Sequence, residues 1–200
     1  AVKPTKSLNI LYDHRDKFSK FVVDLTSEID IFKDKVELEK TTISNRSTKS
    51  FTLNGISDAT RHLFGITKTR KLTSDEQEIT REFWKLVAKY IPEWNLLLEG
   101  KISSADLRKE FVHGNTNSLN ALGIFGRVLI RDYPEDWKEK IKGLRNVDWS
   151  RTNPEWEGRL LLNGRMLKNA VGVELAANTI LQKCGVKLPE DRLKHENKNG

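Results

Sequence analysis

Apolar residues recur at helical spacing along most of the chain. Phe18, Phe21, Val22 and Leu25 lie three or four positions apart, as the buried face of an amphipathic helix does. The same spacing, read together with capping signals, predicts helices over residues 8–12, 18–25, 53–64, 74–90, 104–112, 115–133, 134–144 and 171–183, with a short apolar turn over 94–98. No repeat, heptad run or low-complexity linker interrupts this pattern. It predicts one compact, mainly α domain.

Local signals mark where several of these helices begin and end. Thr52 is a predicted N-cap and Gly65 a predicted C-terminal stop for the helix over 53–64. Thr73 and Glu76 form a predicted capping box. Pro134 suits the first turn of a helix. Glycines at 123 and 126 in the most apolar helix predict close packing against a neighbour.

The helical period breaks in three places. Residues 29–50 could include short extended pieces at 31–32 and 36–38, and residues 66–72 read as a basic loop. Residues 148–168 are dense in Trp, Asn, Gly and Arg, and they predict an ordered but irregular loop. From residue 189 the chain is polar. We therefore predict a helical domain over 1–190 and a frayed tail over 191–200.

Composition narrows the class of protein. The chain has 200 residues, of which 37% are hydrophobic, 8% aromatic and 32% charged, which excludes a disordered chain. No apolar stretch approaches the ~18–20 residues that a bilayer span requires. The single cysteine, Cys184, rules out an internal disulfide and a multi-cysteine zinc site, and it suits a reducing cytoplasm. Its place beside a helix-ending glycine predicts a small core residue.

Positive charge is concentrated in two windows. The net charge is +7, but residues 40–71 hold seven Lys or Arg and one Asp, and residues 138–168 hold eight basic and four acidic residues. Clustering of this kind suggests a polyanionic partner such as nucleic acid. The alternative is an ordinary solvated surface, and charge alone does not separate the two.

The common catalytic motifs are missing. The sequence contains no phosphate-binding loop, GxGxxG, HExxH or GxSxG pattern. The four histidines, His14, His62, His113 and His195, are scattered and lack metal-ligand spacing. His113 reads as a capping or core residue. We expect no enzymatic activity, no cofactor and no metal.

One polar segment carries a stronger signal. Residues 41–50 are almost all hydrogen-bonding side chains, and their only charges are those of Arg46 and Lys49. Hydroxyl and amide donors beside cations are what phosphate binding needs. The alternative is a connector whose Ser and Thr satisfy their own backbone, in which Arg46 would act as an internal strut.

A second segment mixes aromatic and basic residues. Trp149 and Trp156 lie in a loop with three arginines and could offer stacking faces to a nucleic acid. The alternative is an internal lock, in which both indoles fill the core and Arg159 pairs with Glu155 or Glu157.

Basic side chains from the two windows are the candidate DNA contacts. Ten are predicted: Lys40, Arg46, Lys49, Arg61, Lys68, Arg70, Lys71, Arg151, Arg159 and Arg165.

Several long strings resemble one protein family. They are AVKPTKSL at 1–8, LYDHRD at 11–16, EKTTISNRSTK at 39–49 and DWSRTNP at 148–154, supported by FVH at 111–113, PEDWKEK at 134–140 and WEGR at 156–159. Together these strings resemble the DndB family of DNA sulfur modification proteins, which carry a DGQHR domain. That motif is absent from this sequence, so we expect the chain to be the C-terminal portion of a longer protein.

The resemblance implies a cytoplasmic regulator of DNA phosphorothioation. Members of the family are regarded as repressors that bind the promoter DNA of their modification genes, and not as sulfur-transfer enzymes. Double-stranded DNA is then the expected partner, with other DNA sulfur-modification proteins as further candidates and no membrane. Two alternatives stay open: a protein-interaction module that docks the modification machinery while a missing N-terminal domain binds DNA, and a fragment of a nuclease or other enzyme.

Overall fold

The computed structural model describes residues 16–199, and within them the fold is mainly α. The described helices are α1 (Lys17–Glu28), α2 (Leu53–Phe64), α3 (Ser74–Tyr90), α4 (Pro92–Leu98), α5 (Ser104–Glu110), α6 (Thr116–Asp132), α7 (Trp137–Lys140), α8 (Ala170–Lys183) and α9 (Glu190–Asn199), with 3₁₀ turns at Ile141–Asn146 and Pro154–Trp156. Strands β1 (Val36–Glu37) and β2 (Phe51–Thr52) pair in parallel, and β3 (Leu161–Leu162) and β4 (Arg165–Met166) pair antiparallel. The predicted fold class is confirmed.

Helix α6 is the central element, and it packs against both α2 and α8. Its contact with α2 depends on glycine. A Cβ on Gly123 would lie 2.3 Å from the carbonyl oxygen of Ala59, and one on Gly126 would lie 2.5 Å from Leu63 and Phe83. The α2 backbone at Gly123 and the two side chains at Gly126 leave no room for a Cβ, so the predicted close packing at both glycines is confirmed.

The predicted helix ends are found where local chemistry places them. The Thr52 hydroxyl accepts a hydrogen bond from the Gly55 amide at 3.0 Å at the start of α2, and Gly65 ends that helix with a left-handed φ of 62°. Thr73 and Glu76 form both hydrogen bonds of a capping box at the start of α3.

The aromatic core includes the two loop tryptophans. Trp149 and Trp156 are both 0% exposed, and their rings stack with centroids 5.5 Å apart. The Trp156 indole nitrogen donates to the Asp148 carbonyl oxygen at 2.8 Å. Both indoles therefore fill the core, as the internal-lock alternative predicts.

Several elements differ from their predictions, and the short apolar turn expected over 94–98 is part of the helix α4, Pro92–Leu98. Residues 31–32 lie in a buried turn, so that only Val36–Glu37 is extended in this region. The helix predicted over 134–144 begins at Trp137 and becomes a 3₁₀ helix at Ile141. It comes so close to the end of α8 that a Cβ on Gly143 would lie 2.6 Å from the Cys184 Cα.

Residues 190–199, in the segment predicted as a tail, form α9. This helix is held by a buried arginine: Arg192 is 7% exposed and its Nε donates to Asn178 Oδ1 at 2.6 Å. The polar composition that suggested fraying instead supplies partners for polar groups of α8. The helix predicted over 8–12 and His14 lie outside the described residues.

Candidate functional site

A cleft of about 660 Å³ opens where α2, α6 and α8 begin. Eight of the eighteen residues that line it carry a hydroxyl or an amide side chain, and they are Thr41, Thr42, Thr52, Thr116, Asn115, Asn117, Asn120 and Asn169. Neutral hydrogen-bonding groups in such number suit an oxygen-rich ligand.

The N-caps of the three helices all line this cleft. Besides Thr52, the Asn115 side chain accepts from the Asn117 amide at 2.9 Å, and the Asn169 side chain accepts from the Gly172 amide at 2.6 Å. Each helix N-terminus carries a partial positive charge. The convergence of three of them favours an anion.

Formal charges around the cleft add to this preference. Arg108, Lys168 and His62 line it, and Glu174 is the one carboxylate among the lining residues. Arg192 from α9 donates to the Glu174 carboxylate at 2.8 Å, which balances its charge. Burial, together with the neighbouring Arg127, lowers the pKa of His62, so the imidazole is largely neutral at pH 7.

Arg108 shapes the lip of the cleft. Its guanidinium donates to the carbonyl oxygens of Ser44, Asn45 and Ser47, each at 3.1 Å, and to that of Lys49. These hydrogen bonds hold residues 44–49 in place, and residues 44–49 directly follow residues 41–43, which line the cleft. The strut role considered for Arg46 therefore belongs to Arg108, while Arg46 is exposed. Sequence reasoning missed Arg108, because no local signal links it to carbonyls some 60 residues away.

Three shallow depressions continue from the cleft through shared residues. One shares His62 and Asn120, a second shares Arg108, and a third shares Lys168. Across the four cavities, eight lining residues are basic and three are acidic. We call the basic set the basic surface: Arg61, Lys68, Arg108, Lys109, Arg127, Arg151, Arg165 and Lys168.

The basic surface unites the two charge windows of the sequence. Of the ten predicted contacts, it includes Arg61, Lys68, Arg151 and Arg165. Lys68 and Arg165 are exposed, and Arg61 and Arg151 are partly buried. The Arg61 guanidinium stacks over the Phe18 ring at 3.8 Å, so this residue also supports the fold.

Six predicted contacts lie outside the basic surface. Lys40, Arg46 and Lys71 are exposed. Lys49 donates to the Asp34 carbonyl oxygen at 3.0 Å, and Arg70 pairs with Glu76 at 2.7 Å. These five remain near the surface, whereas the sixth, Arg159, is engaged inside the fold.

Arg159 has a different partner from either one predicted. Its guanidinium binds Glu196 of α9, with Nη1 3.1 Å from Oε2, and it also donates to the Leu175 carbonyl oxygen at 3.0 Å. The expected pairing with Glu155 or Glu157 is wrong, because α9 brings Glu196 to the guanidinium. Arg159 thus ties α9 to the rest of the fold.

His113 and Cys184 are poorly placed for catalysis. His113 is 0% exposed: Trp94 donates to its Nδ1 at 3.2 Å, and its Nε2 lies 3.2 Å from a Glu93 carboxylate oxygen. It is the core histidine that the sequence suggested. Burial raises the pKa of the Cys184 thiol to about 12, which disfavours the reactive thiolate. Within residues 16–199 no cluster of His, Cys, Asp and Glu could hold a metal ion.

Comparison with known proteins identifies the family. The family model DndB, described as DNA-sulfur modification-associated, matches residues 1–187. The chain belongs to the DndB family. The match to DndB ties the chain to DNA sulfur modification. Neither a curated protein nor a solved structure matches it significantly. None of the helices in the described part of this DndB chain is long and apolar enough to cross a membrane.

Proposed function

We propose that this DndB chain binds double-stranded DNA through its basic surface and serves as a cytoplasmic transcriptional repressor of DNA phosphorothioate-modification genes. One observation carries the proposal. Residues from two basic windows that are about 70 residues apart in sequence come together around the cleft and its three neighbouring depressions, where eight basic residues, three of them from outside the windows, outnumber three acidic ones. A surface of this kind attracts the phosphate backbone of a duplex.

The chemistry of the surface suits phosphate contacts. Exposed lysines and arginines such as Lys68, Arg165 and Lys168 supply Coulomb attraction. Hydroxyls, amides and helix N-termini in the cleft add hydrogen bonds that fix the register of the protein on the duplex. Sequence preference for a promoter would then come from base contacts or from DNA shape.

We propose a binding role and not a catalytic one. The complete burial of His113, whose ring nitrogens both face partners, and the raised pKa of the Cys184 thiol make these two side chains poor candidates for catalysis. A nucleophile or general base needs access to a substrate and a pKa near the working pH.

Duplex binding over a range of salt tests the proposal. The probes are a duplex from the promoter of the modification genes and a scrambled duplex of equal length, and binding is followed by fluorescence anisotropy. The logarithm of affinity should fall steeply with the logarithm of salt, by about 0.9 per phosphate neutralised. The double variant Lys68→Ala/Arg165→Ala should reduce that slope by about one unit per lost contact.

The matched control is Lys85→Ala/Lys187→Ala, which removes two exposed lysines that do not line the cleft or its depressions. It should leave the slope nearly unchanged. Equal losses in the two double variants would indicate attraction by net charge without a defined surface. Absence of duplex binding at low salt would favour a module that docks the modification machinery. Repression is read separately, from a promoter–reporter fusion with and without the protein.

A further inference from the structure

We propose that the depression lined by Arg108, Lys109 and Arg151 binds one tetrahedral oxyanion of the phosphate class. This depression shares Arg108 with the cleft, and its volume is about 380 Å³. Arg108 and Lys109 belong to α5, whereas Arg151 lies in the loop that contains Trp149. We call it the arginine pocket, and its lining residues are Asn45, Ala105, Asp106, Arg108, Lys109 and Arg151.

Arg151 brings a charge that the fold leaves without an anionic partner. Its Nε donates a long hydrogen bond of 3.5 Å to the Phe111 carbonyl oxygen, and its two terminal amino groups donate to no group within residues 16–199. Glu110 attracts the guanidinium, but its carboxylate pairs with Lys109 at 3.2 Å. Arg151 is also partly buried, and burial lowers the pKa of its guanidinium. A guanidinium that has lost part of its water and keeps free N–H groups is stabilised by an anion.

Arg108 adds a second charge of this kind. Its hydrogen bonds within the described part of the chain all go to neutral carbonyl oxygens, those of residues 44, 45, 47 and 49. Burial alone lowers the pKa of this guanidinium, without an opposing carboxylate. Two partly buried guanidinium groups therefore line one pocket, and neither forms an ion pair with a carboxylate among residues 16–199.

The one carboxylate that lines the pocket has another role. Asp106 is exposed, and its carboxylate accepts hydrogen bonds from the Ser103 amide at 3.2 Å and from the Ser103 hydroxyl at 2.6 Å. These hydrogen bonds belong to the capping box of α5. With three cations and one carboxylate, the lining of the pocket has a formal charge of +2.

The donors in the pocket suit a phosphate group. A guanidinium presents paired N–H groups in a fixed plane, which match two oxygens of a phosphate. Lys109 and Asn45 are exposed and can add ammonium and amide donors. A tetrahedral oxyanion has enough oxygens to accept from all of them, whereas a carboxylate has two.

The same chemistry could come from two sources, a phosphate of a DNA strand or free inorganic phosphate. With a DNA strand as the source, the inference rests on the proposed function and names the point at which the basic surface holds one phosphate. With the free ion as the source, it stands independently of DNA binding. The experiments separate the two.

Thermal melting of the whole chain in increasing inorganic phosphate tests the pocket, with sodium chloride at equal ionic strength as the reference. Phosphate should raise the melting temperature along a saturating curve, by about 3–6 °C at ten times its dissociation constant, because it binds the folded state. Asn45→Asp places a carboxylate at the pocket on an exposed side chain and should abolish this rise. Asn197→Asp makes the same exchange on exposed α9, away from the pocket, and should keep it.

Charge-conserving variants test the DNA strand as the source. Arg151→Lys keeps the positive charge but loses the paired donors, so affinity for a duplex should fall about tenfold while the salt slope is unchanged. The control Arg145→Lys alters an exposed arginine outside the basic surface and should leave the affinity unchanged. Asn45→Asp should also weaken duplex binding, which gives a second measurement if Arg151→Lys folds poorly.

The outcomes distinguish the sources and the two proposals. A selective loss of duplex affinity in the pocket variants would identify the strand, and a saturating phosphate effect with unchanged duplex affinity would identify the free ion. Equal melting shifts in Asn45→Asp and Asn197→Asp, without a selective loss of duplex affinity, would overturn the oxyanion pocket. Duplex binding by the unsubstituted chain would then still support the proposed function. Conversely, a saturating phosphate effect without any duplex binding would support the pocket and contradict the proposed function.

Discussion

Arg192 in α9 binds Glu174 in α8, with 2.8 Å between Nη1 and the carboxylate oxygen. The arginine side chain is 8% exposed and the glutamate side chain 35% exposed, so the pair lies between the core and the wall of the cleft. One contact therefore both holds the C-terminal helix and balances the carboxylate in a site that favours anions. Stability and ligand preference are coupled through it.

Replacement of Arg192 should destabilise the fold. Arg192→Met keeps much of the apolar stem but removes the hydrogen bonds to Glu174 and Asn178, and we expect a loss of about 2–3 kcal/mol in the free energy of unfolding. Urea denaturation measures it. The control Lys194→Ala removes an exposed pair with Glu190 on the same helix, and the expected change is within about 0.5 kcal/mol.

A double-mutant cycle with Glu174→Gln identifies the source of the loss. If the Arg192 pairing is the cause, Arg192→Met should cost less in the Glu174→Gln background, because a neutral amide needs less compensation than a partly buried carboxylate. Additive losses would show that Arg192 acts through packing and its other two hydrogen bonds, to Asn178 Oδ1 and the Glu174 carbonyl oxygen, and not through the Glu174 carboxylate.

Arg108 and Arg46 should behave in opposite ways. Arg108→Ala removes the donor to four carbonyl groups between Ser44 and Lys49, so amide hydrogen exchange in that segment should become faster and the melting temperature should fall. The exposed Arg46 should be replaceable, together with Lys49, with little change in the circular dichroism spectrum or in melting. A large loss of melting temperature from Arg46→Ala alone would contradict this division of roles.

Trp156 should matter for folding. Trp156→Ala removes a fully buried indole that stacks on Trp149, and such truncations cost about 3–5 kcal/mol. Trp156→Phe keeps an aromatic ring but loses the hydrogen bond to the Asp148 carbonyl oxygen, so its cost should be smaller, with about 1 kcal/mol from the lost bond. Thermal melts measure both. Unchanged melting with lost DNA binding would instead make the indole a nucleic-acid contact.

The sequence was sufficient to predict the structure at positions where the interactions that determine it are local. The capping box of Thr73 and Glu76 involves residues three positions apart, and the left-handed turn at Gly65 depends on one residue. The glycines of α6 were also informative, because their absence of side chains indicates close packing whatever the partner. The periodicity of the hydrophobic residues predicted most of the helices.

The cleft could not be predicted, because its parts are distant in sequence. The N-caps Thr52, Asn115 and Asn169 each appear as a local signal, but only the packing of α6 with α2 and α8 brings them together. The same limit explains why the partner of Arg159 and the helix in the C-terminal segment were not predicted. A polar segment shows no helical apolar face, and the partners of α9 lie on α8 and in the preceding loop.

The stability of the protein should fall on mild acidification, because of His113. Burial lowers the pKa of His113 below its usual 6.5, and this effect outweighs the neighbouring Glu93. The geometry explains the direction. The Trp94 indole N–H donates a hydrogen bond to Nδ1. A proton added to Nδ1 would make that atom a donor as well, so two N–H groups would face each other without an acceptor. In the unfolded chain the imidazole takes up a proton near its usual pKa of 6.5.

Between pH 6.5 and the lower pKa of the folded state, unfolding is therefore accompanied by the uptake of a proton. The free energy of unfolding decreases as the pH falls through this window, by up to about 1.4 kcal/mol per pH unit for one histidine. The pKa of His62 is lowered as well, which adds a contribution of the same sign. Urea midpoints at pH 7.5, 6.5 and 5.5 measure the slope above the carboxyl range. His113→Gln cannot titrate and should flatten it more than His62→Gln, because His113 is completely buried and His62 only partly. An unchanged slope in His113→Gln would show that the pKa of this imidazole is the same in the folded and unfolded chain.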